Sequence, residues 1–258
     1  MSDYYLFRTA MLDLLRPRKL VSAAILILIP AVLALMIKWK SAADVYVPEN
    51  QYGRLIVFFV FGFALIILSV IFSTGVVAQE VEQKTIVYLL TRPVARWRIL
   101  FIKYLAAVIV TTVIGWLAVL ATAITTFGPL KLGGTPLAHD FLILPIGVIT
   151  YSAVFLLIAT ILNRPLIFGL IFAFGWETLM GILPGYSRYC SIMTYLRVLA
   201  PHDVPASMLG QLAQAISMPD PPSVKVAWVV MIGITSIALC AAFLIFSTRE
   251  YVPREDAG

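Results

Sequence analysis

"LIVFFVFGFALIILSVIFSTGVVA", residues 55–78, contains no Asp, Glu, Lys or Arg. A helix needs about 20 apolar residues to cross a hydrocarbon core about 30 Å thick, at about 1.5 Å of rise per residue. Polar and apolar residues do not alternate in it, as they would in a barrel strand, and backbone groups in lipid must be paired within the segment. The run is therefore predicted to be a transmembrane helix. Residues 20–37, 99–127, 141–162, 166–183 and 224–246 are similarly long and apolar. Together they predict an all-α membrane protein with six transmembrane helices, forming one domain over residues 1–258. Only Asn163-Arg164-Pro165 separates the fourth run from the fifth, so these two should form a tight antiparallel hairpin.

The composition agrees with this fold class. Of the 258 residues 61% are hydrophobic and 12% charged, against roughly 45–50% and about 25% in soluble domains. The net charge of +6 does not indicate nucleic acid, because the basic residues are scattered between apolar runs and form no single face. Residues 20–37 exceed the 7–15 residues or so of a signal-peptide core and run into Lys38-Trp39-Lys40, so they are read as an uncleaved span. Cys190 and Cys240 lie in a polar connection and an apolar run; they are read as packing residues, not a disulfide.

Lysines and arginines near span ends set orientation. With the N-terminus inside, twelve fall on the cytoplasmic side and seven on the other. Both termini are thus predicted to be cytoplasmic, with the connection 184–223 outside. Before the first span, residues 4–16 place Leu6, Met11, Leu14 and Leu15 among Arg8, Asp13 and Arg16, and Pro17 comes next. That pattern predicts an amphipathic helix lying in the membrane interface. Within 184–223, "YCSIMTYLRVLA" and "SMLGQLAQAIS" have helical apolar spacing but are too short to cross. Short re-entrant or interfacial outer helices before the last span are expected there.

The most polar stretch is "QEVEQKTIVYLLTRPVARWR", residues 79–98, between the second and third spans. Its first twelve residues favour helix, with Glu80 and Glu82 expected in the first turn, where the helix dipole stabilises acids. Val81, Thr85, Tyr88 and Leu89 give a semi-apolar face, Pro93 ends the helix, and Arg96 and Arg98 anchor the next span at the headgroups. Such an element is shaped to be gripped by a cytoplasmic partner; the bland reading is a solvated basic loop.

The pattern Glu80-x-Glu82-x-x-Thr85-x-x-x-Leu89-Leu90-x-x-Pro93-Val94-x-Arg96, with Lys103 beyond it, resembles the cytoplasmic signature of permease subunits of type-2 ATP-binding-cassette transporters. It is similar to the branch that includes the permease for copper-site maturation of nitrous oxide reductase. The six-span layout, the N-terminal helix and the long outer connection extend the likeness over nearly the whole chain. Lys84 stands where that family usually has glycine.

The resemblance implies that 79–98 is a coupling segment seated in a groove of a separate ATPase subunit, with Glu80, Glu82, Lys84, Thr85, Tyr88, Leu89, Pro93 and Arg96 as coupling residues. It also implies a second permease copy or homologue, and a multi-pass location in a bacterial or archaeal cytoplasmic membrane. ATP and magnesium belong on the partner: the chain contains no G-x-x-x-x-G-K-[ST] phosphate loop, so it is expected to be neither an enzyme nor a cofactor carrier by itself. The connection 184–223 is a candidate surface for an extracytoplasmic partner.

Glu177, in "FGWETLMG", is the one carboxylate well inside an apolar run, and is a candidate for a polar substrate path, a dimer interface or pairing with Arg188. His139-Asp140 and His202-Asp203 are possible metal-binding pairs, but without defined ligand spacing they read better as solvated loop residues. Gly62, Ser69 and Ser73, or Gly115, Ala118 and Thr122, would permit close helix approach. Two other function classes stay open: a proton-coupled secondary transporter using Glu177, disfavoured by the absence of visible internal repeats, and a membrane scaffold without transport.

Overall fold

Helices account for every regular element among the residues described by the computed structural model, which are 2–40, 47–82, 96–129, 136–183, 185–202 and 221–248. They are α1 (Ser2–Leu14), α2 (Pro17–Lys40), α3 (Pro48–Leu55), a first π-helical segment (Ile56–Ala64), α4 (Leu65–Glu82), α5 (Arg96–Phe127) and α6 (Leu137–Ile161). Next come α7 (Pro165–Ile171), a second π-helical segment (Phe172–Trp176), α8 (Glu177–Ile182), a 3₁₀ turn (Gly185–Cys190), α9 (Ile192–Leu199) and α10 (Val224–Thr248). Pro17, Pro48 and Pro165 stand at first helical positions, where a missing N–H costs nothing. Gly128, at φ +86°, ends α5 in a backbone conformation that disfavours other residues.

Five helical stretches are long and apolar enough to span a membrane: Lys19–Lys40, Pro48–Val76, Trp97–Phe127, Leu137–Ile161 and Val224–Thr248. The sequence leads one to expect six. The remaining apolar run folds as the shorter helix Pro165–Gly181, which begins only after the Asn163-Arg164-Pro165 turn. That turn closes the expected hairpin, and α7 folds back against α4 and α6.

At the centre is α6, which packs on α4, α5, α7 and α10. Its own Tyr151 and Phe155 are fully buried, as are Tyr52, Phe61 and Phe72. Pro145 interrupts α6 and leaves the Phe141 carbonyl without its usual backbone donor. The Trp116 indole N–H takes the place of that donor at 2.9 Å, and its ring stacks on Phe141 with centroids 5.7 Å apart. A mid-span proline is tolerable in lipid only with such a substitute. Gly115 lets α5 close on α6, since a Cβ there would come within 2.8 Å of Leu144 Cδ2. A Thr150–Thr235 hydroxyl contact of 3.0 Å joins α6 to α10.

α2 and α10 lie at the periphery and turn Val21, Ile25 and Leu28, and Val229, Ile232 and Ile237, outward. Exposed apolar faces of this length suit lipid or another apolar surface. The N-terminal helix α1 packs on α5 and buries Leu6, Ala10 and Leu14. Its other face is not purely polar, because Tyr4, Tyr5 and Leu12 are exposed there. Cys190 and Cys240 are free and exposed, contrary to their reading as packing residues.

Candidate functional site

A polar network among the described residues lies in the half of the bundle where α3 and α6 begin and α5 finishes. Two buried carboxylates organise it. Neither is paired as adjacent residues in the sequence would imply.

Glu177 opens α8, directly after the second π-helical segment, and its N–H reaches back five residues to the Phe172 carbonyl. Its side chain is 6% exposed. Oε2 accepts the Ser191 hydroxyl, Oε1 accepts the Ile192 N–H at 3.1 Å, and Oε2 also receives the Met193 N–H at 3.4 Å. Ser191 is the extended residue before α9 and makes no side-chain cap itself. Glu177 thus supplies from another helix the acceptor that an N-cap residue ordinarily provides, and adds the negative charge that a helix N-terminus favours. The neighbouring 3₁₀ turn is satisfied in the same way. Thr194 donates to the Arg188 carbonyl at 2.7 Å, Tyr195 to Tyr189 at 2.7 Å, and Trp176 to Cys190 at 3.1 Å.

Asp140 lies in the first turn of α6 and is fully buried. The Tyr52 hydroxyl donates to its Oδ2 at 2.7 Å, and His202 Nε2 lies 2.8 Å from its Oδ1. The histidine side chain is 4% exposed. Its ring meets Tyr52 edge-on at 6.0 Å, while Tyr52 packs on Phe127 at 5.1 Å. The sequence neighbours His139 and Asp140 therefore separate: the histidine is exposed, and the aspartate turns inward to a histidine 62 residues away. This overturns the solvated-loop reading for Asp140 and His202. Asp203 lies outside the described residues. No group of three or more His, Cys, Asp or Glu side chains fit to hold a metal occurs among the described residues.

At the opposite end, α4 carries on without a break through Glu80 and Glu82. These glutamates extend an existing helix and do not open a new one, which corrects their expected first-turn position. Arg96 begins α5. The side chains of these three, and Lys84, Thr85, Tyr88, Leu89 and Pro93 altogether, lie outside the described residues. α4 and α5 pack together in opposite directions, so the two flanks of the polar stretch emerge at the same end of the bundle.

Sequence reasoning missed the Tyr52–Asp140–His202 cluster. The available signals were an acidic residue at the start of an apolar run and a histidine just after a short amphipathic one; neither reveals that the two meet.

No curated protein matches the chain significantly. A family model described as "ABC-2 family transporter protein" matches residues 15–176, from the end of α1 to the residue before Glu177. The match takes in more than half of the chain and includes α2 to α7 with the whole polar stretch between α4 and α5; the chain belongs to the ABC-2 transporter family.

Proposed function

We propose that the protein is the membrane-embedded permease subunit of an ATP-binding-cassette transporter, and that it couples ATP hydrolysis on a separate ATPase to export or to a conformational signal across the membrane. The observation that carries this reading is the family match over 15–176, spanning a polar stretch that joins two antiparallel spanning helices. Family membership implies an ATP-binding-cassette ATPase as partner. ATP and magnesium are handled there, and this chain contributes no catalytic group.

In this reading residues 79–98 are the coupling segment. Glu80 and Glu82 meet basic groups on the ATPase, Tyr88 and Leu89 fill an apolar groove, and Lys84, Thr85, Pro93 and Arg96 shape and anchor the segment. Closure of the ATPase pair moves that segment as a lever. It biases the bundle only through a difference in free energy between its two conformations. Two permease copies, or one copy and a homologue, complete the membrane part. Helix Pro165–Ile182 serves as a sixth crossing: its 18 residues reach about 27 Å, close to the hydrocarbon thickness. Both termini and α1 then face the cytoplasm of a bacterial or archaeal cell, with α1 in the interface, and 184–223 faces outward, where it is open to an extracytoplasmic partner. The copper-maturation likeness of the Glu80–Arg96 pattern belongs to this reading too.

Affinity purification of the tagged full chain from its native membrane tests it. A P-loop ATPase recovered in about stoichiometric amount, with ATPase activity that depends on the permease, is the expected result. Recovery of the chain without any ATPase would favour the scaffold reading.

A further inference from the structure

α9 has eight residues and a length of about 12 Å, too short to cross, and six of the eight are buried, so it lies within the bundle and not over its end. Its buried face seats Leu196 directly on the backbone of α6. A Cβ on Gly147 would lie 3.0 and 3.2 Å from the two Leu196 methyl carbons and 3.2 Å from Leu65. Met193 reaches toward Gly62 in the first π-helical segment. The helix therefore packs with apolar contacts against α6, α10 and the first π-helical segment, and polar bonds secure both of its ends.

The two fastenings differ in reach. Glu177 holds the start of α9 through groups only 14 to 16 residues further along the chain. Past the other end, His202 is tied to Asp140 across 62 residues, and Asp140 to Tyr52 across 88. The first fastening is local and stays joined by a short chain segment when α9 moves. The second links three separate elements and is lost once the segment after α9 lifts. Deformable helix flanks both: the two π-helical segments touch each other through Phe63 and Phe174, 5.9 Å apart, and Phe58 of the first lies 5.6 Å beneath the Arg197 guanidinium of α9. A π-helical turn holds one residue more than an α turn, so converting one to the other rotates the rest of the helix by about 100° without breaking it.

From these observations we infer that Tyr52, Asp140 and His202 form a latch holding α9 shut as a strap against α6 and α10, with the Glu177 cap as its hinge. The three are positioning residues: they act by seating α9. The inference rests on the transporter reading for which side the strap faces, but not for the latch itself.

Cysteine accessibility in the full chain, expressed with its ATPase, separates the two. Native Cys190 in a Cys240→Ser background reports the side, since it is exposed beside the strap. Labelling by an impermeant maleimide in sealed cells places this end outside; labelling only after permeabilisation overturns the orientation and leaves the latch to be tested in permeabilised membranes. Leu199→Cys in a Cys190→Ser/Cys240→Ser background reports the underside of the strap, where Leu199 is 4% exposed. Asp140→Ala and His202→Ala should each raise its labelling rate about tenfold, the factor that a loss of ~1.4 kcal/mol of local closing free energy produces. His202→Gln, which retains an N–H donor, should stay near the parent. Ala106→Cys, fully buried in α5, should remain protected throughout. Unchanged labelling at Leu199→Cys overturns the latch. So does an equal rise at Ala106→Cys, because the trio would then hold the bundle as a whole and not the strap.

Discussion

The acidic residues at the two ends of the bundle stand at different places in their helices. At one end Asp140 lies in the first turn of α6, and Glu177 starts α8 while capping α9. Both stand where a helix N-terminus stabilises negative charge, and both are buried with donors from their own chain. At the other end Glu80 and Glu82 prolong α4 and gain nothing from the start of a helix. An acid that satisfies its own helix explains itself by folding. In the transporter reading, the partner proposed for Glu80 and Glu82 is the ATPase.

The sharpest way to break this contrast is to reverse charge at the second end. Glu80→Lys/Glu82→Lys should abolish ATPase recovery, because like charges brought together in a partly desolvated contact cost several kcal/mol. The unfolding midpoint of the detergent-solubilised chain should move by less than the equivalent of about 0.5 kcal/mol, as for ordinary surface substitutions. Full ATPase recovery would reduce 79–98 to a solvated loop. A collapse in stability would show that these acids serve the fold after all, like the other pair.

Glu177 comes next. Glu177→Ala would orphan the Ser191 hydroxyl and the Ile192 and Met193 N–H groups together, for an expected loss of about 3 kcal/mol. Glu177→Gln keeps one carbonyl acceptor and should lose roughly half of that. Thermal unfolding of the purified chain measures both. If Glu177→Gln abolishes coupled transport with its stability intact, the carboxylate lines a path and the cap is secondary.

How far the sequence discloses each end depends on the physics of each signal. Apolar runs are continuous, so five spans and the hairpin at Asn163-Arg164-Pro165 are legible, although the second spanning helix begins at Pro48, seven residues before its apolar run. Glu177 stands out because a carboxylate within such a run is costly, yet its partner Ser191 does not, since a serine in a polar connection looks ordinary. The run at 166–183 stands apart from the other five because hydropathy registers composition and is blind to where the helix starts and stops, here at Pro165 and Ile182. Asp140 and His202 are misread as solvated loop residues because each stands beside a polar connection, where exposure is the ordinary expectation for such side chains. The real contact depends on α9 folding back over α6, which no local pattern encodes.

Asp140→Ala should cost less than Glu177→Ala, because it orphans two buried groups, the Tyr52 hydroxyl and the His202 ring nitrogen, where the other orphans three. About 2 kcal/mol is expected, again by thermal unfolding. Equal or larger destabilisation would mean that this end of the bundle is held chiefly by the long-range fastening, and would exchange the roles of hinge and latch.

The smallest effect should come from Tyr52→Phe, and it is the most discriminating. The substitution keeps the ring that packs on Phe127 at 5.1 Å and removes one donor from Asp140 Oδ2. No cavity opens, and His202 still meets Oδ1 at 2.8 Å. One hydrogen bond to a buried carboxylate is lost, about 1–1.5 kcal/mol in thermal unfolding. If Tyr52 acts only through its bond to Asp140, Tyr52→Phe in an Asp140→Ala background should cost nothing more, since the acceptor is already gone and the freed hydroxyl is removed with it. A slight recovery of stability in the double variant is even expected, because an unsatisfied buried hydroxyl is eliminated. A single Tyr52→Phe variant that loses as much as Asp140→Ala would instead show that the trio works as one cooperative network, in which removing any member releases the strap.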